Sequence, residues 1–285
     1  MMYNRVKGGK VMNRSNIMIA AFMLGVFFAV PSNGLAEEKA REKGIIPTTQ
    51  EIHLSADQYI IDSTVADITG DGVVDNLYLI GQKEKKSERF ARNMSLIVRD
   101  GKTNDVKTIG LNGFSGYEGT LFAGDFTGDK VSDVMISAPT GGSGGIVGHL
   151  IVNYNLPEPA IIFDDKNNEG AKFTGNFVDE YKAQLVNENT GRKMFLDLEN
   201  KKDFYVQSAI YDKNGKLLKE VKPISYPFSV LEPIVVHYDN VYELKGIQRI
   251  VGAYGADGIG NIYSRWRYED GQWKIKRIEV SSVLL

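Results

Sequence analysis

After Gln50 the chain is a succession of short apolar runs broken by turn residues, with no sustained helical spacing. Tyr59-Ile-Ile61, Leu77-Tyr-Leu-Ile80, Leu121-Phe-Ala123 and Val134-Met-Ile136 are β-prone and apolar, and they read as buried strands. Met94–Val98 runs into Asp100-Gly101, Gln207–Tyr211 into Asn214-Gly215, and Ser264–Tyr268 into Asp270-Gly271 before returning as Gln272–Ile278. Each is a hairpin signal, because Asp-Gly and Asn-Gly tolerate the positive φ that tight hairpin turns require. The charged run Lys83–Glu88 reads as an exposed loop, and Val178–Val186 fits either a strand or a short helix. The pattern predicts an all-β molecule built from short antiparallel sheets.

The first 36 residues follow a different logic. Arg5, Lys7, Lys10 and Arg14 precede an apolar run from Ile17 to Val30, and Pro31–Ala36 ends in small residues. This layout predicts a secretory signal peptide over 1–36, cleaved after Ala36. The apolar run of 14 residues is shorter than the roughly 17–25 needed to span a bilayer. Residues 37–50, charged and then turn-like, read as a linker, leaving 51–285 as the domain. There is no cysteine, so the exported chain is expected to be held by its core and by metal rather than by disulfides. Without the leader, 30 basic residues stand against 36 acidic. That acidic surface argues against nucleic acid or anionic lipid as partner, and no membrane insertion is expected once the leader is removed.

Two stretches stand out from the strand pattern: Asp67-Ile-Thr-Gly-Asp-Gly-Val-Val-Asp75 and Asp125-Phe-Thr-Gly-Asp-Lys-Val-Ser-Asp133, which start 58 residues apart. Each carries oxygen side chains at positions 1, 3, 5 and 9 with Gly at position 4. Alternate oxygens around a tight turn suit Ca²⁺, which takes 6–8 oxygen ligands in a flexible shell. An EF-hand is excluded, because position 12 is Tyr78 or Ile136 rather than Glu and strands flank the loop. The expected ligands are Asp67, Thr69, Asp71, the Val73 carbonyl and Asp75, then Asp125, Thr127, Asp129, the Val131 carbonyl and Asp133. Lys130 replaces Gly72 at position 6, so the second loop is expected to bind more weakly. Extracellular modules of this kind bind Ca²⁺ at about 10⁻⁴–10⁻³ M, a structural role.

The strand–Asp loop–strand unit resembles the FG-GAP / VCBS repeat of integrin-α-like propellers. The second copy carries most of the match, with Phe114-Ser-Gly116, Leu121-Phe-Ala-Gly-Asp125, the loop itself and Ser137-Ala-Pro139. A degenerate third copy is read at Val235–Leu244, 110 residues after the second, with Val235 and His237 in place of two ligands and no metal assigned. The resemblance implies a β-propeller-like repeat, a small or incomplete ring with a divergent C-terminal half. The 249 residues after the leader hold about four such units, within the 4–8 blades of known propellers.

Other candidates carry less. Thr140–Gly145 and Tyr254–Gly260 are Gly-rich but lack the Gly-Lys-Ser/Thr ending of a phosphate loop. His53, His149 and His237 show no ligand spacing and read as strand-edge or surface residues. Ser137 stands in no nucleophile elbow. Asp164-Asp165 and Asp179-Glu180 are adjacent pairs that point to opposite faces of a strand. Trp266 and Trp273 read as core. The expected function is a secreted or envelope-associated, Ca²⁺-stabilised binding or scaffold protein recognising an extracellular protein or glycan. The alternative is an extracellular hydrolase of glycans or phosphoesters with its carboxylates at one end of the sheets.

Overall fold

Residues 52–283 are described by a computed structural model; the expected leader over 1–36 and the linker over 37–50 lie outside them. The described chain folds into four separate antiparallel sheets. The first runs β1 (Gln58–Ala66), β2 (Asp75–Gln82), β3 (Phe90–Arg99), β4 (Val106–Gly110), with β5 (Gly116–Tyr117) paired to β3. The second is β6 (Thr120–Gly124), β7 (Asp133–Pro139), β8 (Val147–Asn153), β9 (Ala160–Phe163). The third has three strands, β10 (Phe173–Val178), β11 (Lys182–Asn187) and β12 (Lys193–Asp197). The fourth is β13 (Ile224–Val235), β14 (Tyr242–Val251), β15 (Gly258–Glu269) and β16 (Gln272–Ser282). Apart from β5, sequence neighbours are spatial neighbours, and none of the sheets closes into a barrel. The expected all-β architecture of small antiparallel sheets is what the chain adopts.

The period-two alternation decides how the sheets stack. Leu77, Leu79, Leu96 and Val98 of the first sheet meet Val134, Ile136, Ala138, Leu150 and Val152 of the second. The intervening residues Met135 and Ile151 leave the opposite face, where they meet Phe228, Leu231 and Leu244 of the fourth sheet. The second sheet is therefore buried on both sides, which explains its nearly continuous apolar strands. The fourth sheet has long strands that serve two neighbours. Its Leu244–Trp266 end packs on the second sheet, and its other end, with Ile250, Ile259 and Ile262, packs on the third. Between these ends the buried Gln248 side chain accepts from Ala171 N and donates to the carbonyls of Glu169, Ala171 and Tyr226, fastening the entry to the third sheet.

Two local expectations change. Val178–Val186 is a hairpin, with Glu180 and Tyr181 at φ +66° and +51° in its turn. Gln207–Tyr211 is not a strand: Gln207 ends the short helix α2 (Lys202–Gln207), and the Asn-Gly turn closes a single bridge, Tyr211 to Leu217. The cause is Tyr211, whose buried ring turns into the third sheet and donates from its hydroxyl to the carbonyls of Val178 and Lys182. The only other α-helix among the described residues is α1 (Asp165–Asn168), capped by Asp164, so the Asp164-Asp165 pair is accounted for by a helix start. Among the described residues, no helix is long and apolar enough to cross a membrane.

Candidate functional site

The two Asp loops connect the first strand of a sheet to the second, β1 to β2 and β6 to β7. Their ends are set by the same register, Ala66 opposite Asp75 and Gly124 opposite Asp133. Inside, they agree bond for bond. Position 1 accepts twice: Asp67 from Gly70 N (2.7 Å) and Gly72 N (2.9 Å), Asp125 from Gly128 N (2.6 Å) and Lys130 N (2.9 Å). Position 5 accepts from position 7, Asp71 from Val73 N at 2.8 Å and Asp129 from Val131 N at 2.9 Å. Position 9 is buried, and its Oδ2 accepts from positions 2 and 3: Asp75 from Ile68 N and Thr69 N, Asp133 from Phe126 N and Thr127 N. Ile68 and Phe126 at position 2 are fully buried, an anchor worth about 1.5–3 kcal/mol each. Position 6 is left-handed in both, Gly72 at φ +83° and Lys130 at φ +71°, so Lys130 carries the strain its sequence position predicts.

These bonds also place the six carboxylates among the expected ligands. The loops gather them, but each carboxylate is turned toward backbone amides of its own loop. Among the described residues no three acidic or imidazole side chains converge on one point. Thr69 Oγ1 and Thr127 Oγ1, at position 3 of each loop, are buried without any hydrogen-bond partner. Such an orphaned oxygen costs free energy unless something occupies it.

The surroundings of the loops differ. Beside the first, Gly101 N donates to Asp75 Oδ1 at 2.9 Å, and Lys102 Nζ lies 3.7 Å from Asp71 Oδ2. Beside the second, Asn155 Nδ2 donates to Asp129 Oδ2 at 3.2 Å. Asn153, one residue beyond the Val134–Val152 pair, is 5% exposed with its Oδ1 buried and unpartnered. Burial pushes the Asp133 carboxyl up to about 7, opposed by the Phe126 and Thr127 amides and reinforced by Asp129 and Asp125. Lys102, Asn153 and Asn155 carry no signal in the loop spacing; their approach follows from strand pairing.

The third copy lies in the same frame. Ile234 stands opposite Glu243, the register of the other two loops. Asn240 at position 6 is left-handed (φ +59°), and Asp239 at position 5 accepts from Val241 N at 3.2 Å. The loops are laid in a row by repeated contacts. Ser132 N donates to the Asp67 carbonyl (3.2 Å), and Tyr242 N donates to the Asp125 carbonyl (2.7 Å), position 8 to position 1 each time. A Cβ on Gly70 would stand 2.8 Å from Val131 Cγ2, and one on Gly128 would stand 3.5 Å from Val241 Cγ2, position 4 to position 7 each time. The third loop is thus the direct neighbour of the second. The 110-residue offset is not two periods of a regular repeat; it contains the third sheet, which packs at the other end of the fourth.

One histidine departs from expectation. His149 is 3% exposed in the middle of β8, not at a surface or strand edge. Its Nδ1 lies 2.8 Å from Ser137 Oγ, while Nε2 is buried without a partner, and burial lowers its pKa to about 4. Trp266 and Trp273 do pack in the core, as expected. Two cavities, of about 280 and 230 Å³, lie around Lys222 and Ile224. Neither is lined by Ser137 or His149, and Glu220 is the only carboxylate in either.

Fold and site define an all-β chain of stacked antiparallel meanders whose first hairpin loops form an acidic row. Residues 171–281, the third and fourth sheets, match the YybI C-terminal domain family. The chain is 35% identical over 223 residues to uncharacterized protein YybI of Bacillus subtilis (strain 168), covering 78% of this chain and 84% of that protein. The chain belongs to the YybI family. No solved structure matches it.

Proposed function

We propose that this protein is a secreted, Ca²⁺-stabilised binding or scaffold protein, with a small or incomplete propeller-like ring and an extracellular protein or glycan as its ligand. The observation that carries the reading is the loop row, in which the same nine-residue frame recurs, with the same internal bonds in the first two loops and the same contacts from each loop to the next. Four-stranded meanders joined in this way are how propeller blades are built. In the metal-bound form, Asp71 and Asp129 would turn from their present amide partners, and the unpartnered Thr69 and Thr127 hydroxyls would join Asp67, Asp125, Asp75, Asp133 and the carbonyls of Val73 and Val131 in holding the ion. The buried, unpartnered hydroxyls support this. Export follows from the leader layout over 1–36. An array of extracellular proteins and glycans probed with and without Ca²⁺ tests the function. Calcium-dependent capture of one ligand class is expected, and identical empty arrays in both conditions would contradict it.

A second reading has its own observation. The position 1, 5 and 9 carboxylates already accept loop amides, so the loops also make sense as self-capped Asx turns that hold strands together without metal. As read from the sequence, the hydrolase alternative uses carboxylates at one end of the sheets; the contact that would serve it instead is the Ser137–His149 pair. A turnover on an ester, glycoside or phosphoester panel that Ser137→Ala abolishes would establish it in place of the binding reading.

A further inference from the structure

The third loop copies the frame of the other two but differs in what faces its acids. Its position 9 is Glu243, 0% exposed, and its position 5 is Asp239. β14 pairs with β15 through Leu244 and Trp266, so the residue across from Glu243 is Arg267. Arg267 Nη2 donates to Asp239 Oδ2 at 2.6 Å, and Nη1 donates to Glu243 Oε1 at 3.3 Å. One guanidinium therefore bridges positions 5 and 9. The equivalent residue beside the second loop is Asn153, and beside the first it is Asp100, neither of them a cation.

We infer that the third loop is a cation site whose cation belongs to the protein: Arg267 takes the place that a metal ion would take between the position 5 and position 9 acids. Arg265 balances the second carboxylate, and His237 lies beside it. Arg265 Nε lies 3.2 Å from Glu243 Oε2, though not in hydrogen-bonding geometry, and His237 Nε2 lies 3.2 Å from Oε1. The bridge shows in both partners: Asp239 holds the Arg267 pKa above its ordinary value, and Arg267 holds the Asp239 carboxyl below its own. Two of the metal-type oxygens are absent from this loop, with Val235 at position 1 and His237 at position 3, so only the acids that Arg267 spans remain. A planar guanidinium suits that task, because its fork reaches two carboxylates at fixed angles where an ammonium reaches as a point charge. Arg267 is 17% exposed and Glu243 0%, so the Glu243 half of the bridge is shielded from solvent, while Asp239 at the other half is 44% exposed.

Tyr242 N of this loop donates to the Asp125 carbonyl of the second. The inference rests on the calcium reading only where it contrasts the third loop with the first two; the bridge itself stands without it.

A mutant cycle on the full chain tests the inference, with thermal melts in chelator and a Ca²⁺ titration. Arg267→Met keeps most of the apolar stem and removes the charge, leaving Glu243 buried with less compensation. It is expected to lower Tm by roughly 5–15 °C. Glu243→Gln/Arg267→Met, which removes both charges, is expected to recover most of that loss. A single variant as stable as the parent, or a double variant no better than the single, would show that Arg267 only packs and would overturn the inference. If Arg267→Met fails to fold, the double variant alone still decides, since it folds only if the charge was the cause. Asp239→Asn is expected to leave the Ca²⁺ titration unchanged, and a metal site lost with it would also overturn the inference. Absence of Ca²⁺ binding in the parent counts against the calcium reading alone, because the cycle is read in chelator.

Discussion

At the scale of single residues, burial sets chemistry that composition does not reveal. His149 and Asp133 are both buried, and burial disfavours the charged form of each, so their effects on stability run in opposite directions. His149 stays neutral in the folded state down to about pH 4, while its ordinary value is 6.5. The unfolded chain binds more protons in that window, so folded stability is lost as pH falls through it. Asp133 stays protonated when folded up to about 7 against an ordinary 3.8, so its contribution is lost as pH rises. The two contributions oppose one another between about pH 4 and 6.5. In an Asp133→Asn background the opposing effect is removed, and the difference from Asp133→Asn/His149→Gln should give a His149 loss on the order of 2–3 kcal/mol between pH 7 and pH 4 in denaturant melts. His149→Gln in that background should make the slope shallower; a slope unchanged by it would refute the assignment.

Elements were the most legible level of this chain. The strands at Tyr59–Ile61, Leu77–Ile80, Leu121–Ala123 and Val134–Ile136 all form, because short apolar runs between turn residues have few other ways to bury themselves. Gln207–Tyr211 misled because its turn signal is real but the segment's buried tyrosine is claimed by another sheet. The loop frame was visible as spacing, whereas Lys102, Asn153 and Asn155 reach the loops through pairing that no local pattern encodes. Two substitutions test the frame itself. Lys130→Gly relieves the left-handed residue and should raise stability by about 1 kcal/mol, a Tm gain of roughly 2–4 °C. Gly70→Ala should lower Tm, since φ is +76° and the new Cβ would press on Val131. A Gly70→Ala protein with unchanged Tm would mean that the first two loops are not packed as described.

At the scale of the whole molecule, the sheets stack by the parity of their strands. The second is clasped between the first and one end of the fourth, and the third is held at the fourth's other end. Sequence reading anticipated the all-β chain of small antiparallel sheets. It did not anticipate that the third loop abuts the second with a whole sheet inserted between them in the chain, because the order in space depends on which buried faces match. The match to the YybI C-terminal domain, over 171–281, coincides with that inserted sheet together with the long-stranded one that holds it.

The central claim is that the first two loops of the row hold Ca²⁺. Calorimetric titration of metal-stripped protein, paired with melts in Ca²⁺, Mg²⁺ and chelator, tests it most directly. A ligand that binds only the folded state stabilises it by RT ln(1 + [L]/Kd), about 1.4 kcal/mol per site at ten times Kd. The expected result is two Ca²⁺ per chain and a rise of roughly 3–5 °C per occupied site. Mg²⁺ should give little, because it demands a small octahedral shell. Asp71→Ala and Asp129→Ala should each remove one site. Equal melting temperatures in Ca²⁺ and chelator, with no heat of binding, would contradict the account and leave the row as self-capped turns.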